Sequence, residues 1–157
     1  MMAELEGFRL DMTPRRVMQV MMKHGYQESD LSNMTIEDII EGQAEHDLLS
    51  LKSEDGKKVF TLEFCFKRLN EINVDYDIPT DQYDSYVKKD ALRLKNKLQL
   101  TENENTDQRV RRIFTYKPNK WSYWTIIYHT DLPNLKKLYR SERILDDLNC
   151  SRRRIGW

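Results

Sequence analysis

The feature that most constrains this chain is a change of hydrophobic period between Val17 and Phe66. Val17, Val20 and Met21 recur at helical spacing, whereas Phe60, Leu62, Phe64 and Phe66 alternate with Val59, Thr61, Glu63 and Cys65. The first pattern puts one apolar stripe on a helix, and the second puts four large side chains on one face of a strand. Val59–Phe66 therefore reads as the central strand of a sheet. Leu48-Leu49-Ser50-Leu51 precedes it across Ser53-Glu54-Asp55-Gly56, and Asp-Gly between two apolar runs is a hairpin signal, so Asp47–Lys52 is its partner.

Both helices before the hairpin carry their own boundaries. Thr13-Pro14 opens the first with a capping side chain and a proline where no N–H is needed, and Gly25 closes it. Thr35 followed by Asp38 resembles a capping box, with Ile36, Ile39 and Ile40 as the buried stripe and Gly42 at the end. Beyond the hairpin, Pro79-Thr80-Asp81 predicts the longest helix, running to about Leu100 on Tyr83, Val87, Ala91, Leu94 and Leu98. Thr101–Gln108 has no apolar residue and reads as a surface loop. Val110–Tyr116 and Trp121–His129 read as strands around the turn Lys117-Pro118-Asn119-Lys120. Asp131 caps a further helix bearing Leu135 and Leu138, and Ser141–Leu148 forms a final turn of helix. No internal repeat is visible. The expected fold class is α+β (mixed α/β): one domain over residues 1–157, with a small mixed β-sheet of about four strands covered by helices and residues 149–157 as a basic tail.

Charge bounds the partners. Lys plus Arg and Asp plus Glu each number 26, so no global field draws the chain to nucleic acid or membrane, and such binding must come from a local patch. No run approaches the roughly 18 apolar residues of a membrane span. Met1–Glu6 carries acids and no long apolar run, so a cytoplasmic or nuclear protein that is not secreted is expected. Cys65 and Cys150 read as buried or idle thiols in a reducing compartment.

The chemistry is sparse. His24, His46 and His129 show no metal-ligand spacing, no nucleophile motif is present, and the five glycines form no phosphate loop, so neither metal nor cofactor is expected. An enzyme would most resemble a divergent metal-dependent nuclease using Asp47 and Glu63 as neighbouring carboxylates, although the lysine such sites place two residues on is missing. The strongest signal is basic and aromatic. Arg109, Arg111, Arg112, Lys117 and Lys120 surround Trp121 and Tyr123, with Arg152, Arg153 and Arg154 beyond. Cations hold phosphates and aromatic faces stack bases, so these ten residues are the candidate nucleic-acid or partner-binding set.

Element order adds a resemblance. Val17–Tyr26, Ile36-Glu37-Asp38-Ile39, Leu48–Lys52 and the Leu62-Glu63-Phe64-Cys65 run, followed by Pro79–Leu100 and Thr125–Leu138, resemble the N-terminal jaw module of RNA polymerase subunit five. His24 stands where that family has arginine, Thr130-Asp131-Leu132-Pro133 departs from its threonine-proline-serine helix start, Asn103–Trp124 has no counterpart, and neither does the family's C-terminal assembly domain. The resemblance implies a non-catalytic small subunit of a multisubunit DNA-directed RNA polymerase. It would touch larger protein subunits, and downstream DNA through the basic patch. The alternative is a small, viral or phage type of protein-interaction module that binds and modulates one partner.

Overall fold

The computed structural model describes residues 4–106, 110–130, 137–148 and 150. A short ribbon of β1 (Glu4–Leu5) and β2 (Phe8–Arg9) leads into α1 (Pro14–His24). Then come β3 (Gln27–Glu28), α2 (Ile36–Glu41), β4 (His46–Lys52), β5 (Lys58–Cys65) and β6 (Arg68–Pro79). A single turn of 3-10 helix precedes α3 (Tyr83–Arg93), followed by β7 (Gln99–Asn105), β8 (Val110–Tyr116), β9 (Ser122–His129) and β10 (Lys137–Asp146).

The capping residues act as the sequence predicts. The Thr13 hydroxyl accepts from the Arg16 N–H, and Gly25 takes the left-handed conformation at φ 72° that glycine adopts without a Cβ clash. Thr35 and Asp38 form the reciprocal capping box of α2, and hydrogen bonds from the Thr35 backbone N–H, then from its side-chain hydroxyl, hold the Asp38 carboxyl below its usual pKa.

The sheet corrects the expected class. β3 to β10 form one eight-stranded antiparallel sheet in the order β3-β4-β5-β6-β10-β9-β8-β7. Strand makes up 47% of the described residues against 24% helix, so the fold is mostly β, and the small mixed sheet covered by helices is overturned. Two meanders, β3 to β6 and β7 to β10, meet at their last strands, with Ile72 opposite Ile144 and Tyr76 opposite Arg140. Each meander follows a helix, so the topology repeats although the sequence does not. The central pair is therefore β6 and β10, and β5 lies one place off centre.

Local expectations change with it. Residues 141–146, expected as helix, belong to β10. The helix from Pro79 ends at Arg93, because Lys95 and Asn96 turn left-handed at φ 54° and 58° and the Asn96 N–H closes on the Ala91 carbonyl. The expected loop from Thr101 is edge strand β7. Phe66 leaves β5 rather than extending it, since Phe66 and Lys67 at φ 52° and 63° make the two-residue turn into β6. Of the helix expected from Asp131, Leu138 instead lies in β10, and residues 131–136 lie outside the described residues.

One face of the sheet carries the core. Leu49, Leu51, Phe60, Leu62, Ile72, Val74, Ile126 and Ile144 cluster with Val17 and Met21 of α1, Ile36 and Ile39 of α2, and Leu94 just past α3. Each such side chain contributes roughly 1.5–3 kcal/mol by leaving water. The other face, with Thr61, Asn73, Asp75, Thr125, Ser141 and Arg143, is not buried, as one side of an antiparallel sheet can be. No helix among the described residues is long and apolar enough to cross a membrane.

Amide hydrogen exchange checks the new centre. The N–H groups of residues 139–145, in the stretch of β10 flanked by both β6 and β9, are expected to exchange among the slowest in the chain, and fast exchange there would contradict a central strand.

Candidate ligand groove at the end of the sheet

Two charged regions stand out, and charge balance separates them. The first lies where the meanders join, beneath α3. Arg140 is 3% exposed and donates from Nε and Nη2 to the Asp90 carboxylate at 3.1 and 2.7 Å. Its Nη2 also reaches Glu142 Oε1 at 2.6 Å, and Arg93 bridges the same two carboxylates at 3.1 and 2.7 Å. Trp124 Nε1 donates to Glu142 Oε2 at 2.7 Å, and the Tyr128 hydroxyl donates to Asp90. Burial opposes the charge on Arg140, yet Glu142 and Asp90 outweigh it and hold the guanidinium above its ordinary pKa. Tyr76 and Tyr128 are pushed up as well, mainly by burial. Two guanidinium groups meet two carboxylates, so this network is neutral and internally satisfied. It holds the seam together. A cavity of about 630 Å³ opens over it between Glu4, Glu6, Tyr86 and Lys89.

The second region is not balanced. A groove of about 820 Å³ runs along the end of the sheet where β6 begins, β8 and β10 end and β9 begins. Its N-terminal wall is positioned by backbone pairing. The Asp11 N–H donates to the Leu69 carbonyl at 2.6 Å, and the Leu69 N–H donates to the Met12 carbonyl at 2.9 Å. This tie brings Arg9, Arg68 and the first turn of α1, with Arg16, to one wall. The opposite wall is the β8–β9 turn, where Asn119 Oδ1 accepts from the N–H groups of Trp121 and Ser122 at 2.8 and 3.0 Å. Lys97 joins it, with Nζ 5.3 Å from the centre of the Tyr116 ring. Tyr123, Trp124, Ile144 and Leu145 complete the lining.

Four cations, Arg9, Arg16, Arg68 and Lys97, face this groove beside two acids, Asp11 and Asp146. Among the described residues none of the four cations lies within ion-pair distance of a carboxylate. The Arg16 guanidinium bonds Gln19, and that of Arg68 bonds the Asp11 carbonyl. A groove lined this way attracts an anion.

The residues singled out from sequence are divided by the fold. Lys117, Lys120, Trp121 and Tyr123 do come together at the β8–β9 turn, with Lys117 Nζ 4.8 Å from the Tyr123 ring centre and Lys120 Nζ 5.2 Å from that of Trp121. Trp121 and Tyr123 remain 36% and 38% exposed, so their rings are accessible. Arg111 and Arg112 are drawn elsewhere. Arg111 pairs with Glu102 at 3.8 Å, and Arg112 donates to Asn103 and to the Tyr83 hydroxyl at 3.1 and 3.0 Å. Arg109, Arg152, Arg153 and Arg154 lie outside the described residues. Sequence reading passed over Arg9, Arg16, Arg68 and Lys97 because they are far apart along the chain and only the fold gathers them.

The nuclease carboxylates do not converge. Asp47 lies opposite Phe64 and is buried against Lys67 Nζ at 3.2 Å. Glu63, one position from that pairing, points to the other face, beside Glu71 on β6. Burial, then the hydrogen bond with Glu63, raise the Glu71 carboxyl while Arg143 offsets them. The two cysteines are not idle thiols. Cys65 and Cys150 form a disulfide across 85 residues, with Cα atoms 5.5 Å apart.

No protein-family model matches the chain, and neither a curated protein nor a solved structure shows significant similarity to it.

Two measurements follow from the seam. Arg140→Met leaves Asp90 and Glu142 buried with half their counter-charge and is expected to cost about 3–5 kcal/mol of unfolding free energy in urea. Second, stability is expected to fall in alkali. Tyr26 is raised to about 12 by burial and the nearby Glu6 carboxylate, and Tyr76 and Tyr128 are also raised. The folded chain keeps these protons after the unfolded chain, with tyrosines near about 10, has lost them. The contribution is complete below about pH 10 and is lost as pH climbs through the folded values. Urea midpoints on either side of this window, together with tyrosinate absorbance, check the sign.

Proposed function

We propose that the chain is a non-catalytic binding module whose end-of-sheet groove takes a single-stranded nucleic acid. The observation that carries this reading is the set of four groove cations that have no carboxylate partner among the described residues, in a protein whose total charge is zero. Evenly mixed charge would have paired them, as it pairs Arg93 and Arg140. Phosphate oxygens supply the missing counter-charge, and guanidinium groups bind them in bidentate fashion. The accessible ring of Tyr123 in the groove lining, and that of Trp121 on the same turn, offer faces for unpaired bases, which a duplex keeps stacked inside itself. Cations tracking a backbone beside aromatic platforms are the physical basis of single-strand binding.

The multisubunit polymerase setting implied by the subunit-five resemblance is part of this proposal, with the groove as the surface turned to nucleic acid. A second reading, a module that binds one partner protein, draws on the same exposed Trp121 and Tyr123, since aromatic residues are enriched at protein interfaces.

Fluorescence anisotropy with labelled single-stranded DNA and RNA oligonucleotides, at low and moderate salt, tests the groove. Affinity is expected to fall steeply with salt. Arg16→Ala and Arg68→Ala are each expected to weaken binding and flatten the logarithmic salt slope by about one. Tyr123→Ala is expected to cost about 1–3 kcal/mol of binding free energy. No binding at low salt, or binding indifferent to these substitutions, would remove the nucleic-acid reading. Affinity purification tests the setting separately: recovery of large polymerase chains supports it, and a single stoichiometric partner with no oligonucleotide binding supports the second reading.

A further inference from the structure

His46, Cys65 and Cys150 converge at the end of the sheet, one strand beyond the groove wall that carries Arg68. His46 and Cys65 are register partners on β4 and β5, so their side chains leave the same face of the sheet at neighbouring positions. Cys150 reaches them after β10 has ended. One ligand atom from each residue lies within 4.8 Å of both others. Cys65 and Cys150 are buried, while His46 is exposed. The turn that follows Cys65 holds two bulky residues, Phe66 and Lys67, in the left-handed region, which fixes the end of β5 where the three residues meet.

Two sulfurs complete the disulfide, and the His46 imidazole, which also packs on the Phe66 ring at 6.3 Å between centres, stands beside them as a third donor. Two thiolates and an imidazole are the donor set that Zn²⁺ uses, at distances this cluster can close to. We propose that the reduced chain binds one thiophilic divalent cation, Zn²⁺ being the best match, through Cys65 Sγ, Cys150 Sγ and the His46 imidazole, and that the disulfide is the oxidised, metal-free state of the same site. Interconversion balances with a dithiol reductant. Its thiolate attacks one sulfur, the S–S bond breaks, two electrons pass to the cysteine sulfurs, and the reductant departs as its own disulfide. The two cysteines then lose their thiol protons as the metal–sulfur bonds form. Three protein ligands leave one tetrahedral corner for solvent.

Cobalt titration of the whole chain under anaerobic conditions tests this. The dithiol-reduced protein is expected to take one equivalent of Co²⁺ with a thiolate-to-cobalt charge-transfer band, to lose that band on adding Zn²⁺, and to regain its disulfide with release of metal on oxidation. The oxidised protein is expected to take none. Cys150→Ser is expected to lose most of the band. His46→Ala, at an exposed position, is expected to weaken binding by more than the roughly 10–100-fold that losing a supporting contact costs. Absence of stoichiometric binding by the reduced chain, or binding by His46→Ala and Cys150→Ser equal to that of the unaltered chain, would overturn the proposal. So would a reduced chain that loses its circular dichroism and does not recover it with Zn²⁺.

Discussion

Everything in this fold is arranged around the antiparallel pairing of β6 with β10. Each of these strands ends a meander, and their ladder turns two four-stranded units into one sheet. The apolar rows on the covered face cross the join at Ile72–Ile144 and Ile78–Leu138, but between them the register places Val74 beside Glu142 and Tyr76 beside Arg140. A buried guanidinium and carboxylate in the middle of a core face are costly unless each is satisfied. α3 resolves this by lowering Asp90 and Arg93 onto them, so the helix is held to the second meander by charge as much as by apolar contact. This accounts for the thin apolar stripe of α3. Its one buried residue within the helix is Asp90.

The same contrast identifies the groove. Arg140 and Arg93 are neutralised in place, and the cavity above them is lined by both signs of charge. At the end of the sheet the four cations meet only neutral partners among the described residues. One molecule thus uses arginine in two ways, as internal cement and as outward-facing charge, and the difference lies in whether the fold supplies a carboxylate within reach.

How much of this could be read beforehand depends on whether the signal is local. The capped helices α1 and α2 were legible because Thr13, Gly25, Thr35 and Asp38 act within a few residues of themselves. The β4–β5 and β8–β9 hairpins were legible from alternation around Asp55-Gly56 and Pro118-Asn119. β6 carried a readable pattern, since Ile72, Val74, Tyr76 and Ile78 alternate with Glu71, Asn73, Asp75 and Asp77. It was obscured by its start, because Phe66-Lys67 is not a turn signal and contains no glycine, asparagine or proline. β10 was hidden more deeply. Leu138, Ile144 and Leu145 suit a helix as well as a strand, and the inward positions Arg140 and Glu142 look like solvent-facing residues unless Asp90, some fifty residues earlier, is known to meet them. On the hairpin side Tyr123, which lines the candidate groove, was visible together with Lys117, Lys120 and Trp121 of the same turn. The other half belongs to residues that become neighbours only when the Asp11 N–H pairs with Leu69.

The late arrival of β10 has a consequence for how the molecule is made. Until residue 137 and its successors emerge, β6 has no partner on one side, and a twelve-residue strand bearing Ile72, Val74 and Ile78 stays open to pairing with any other chain. Closing it requires contacts 58 to 74 residues apart, which loop entropy makes slow. The acids that alternate along β6, Glu71, Asp75 and Asp77, then serve a purpose before the native state exists: like charges on successive nascent copies repel one another and protect the unfinished sheet from aggregation.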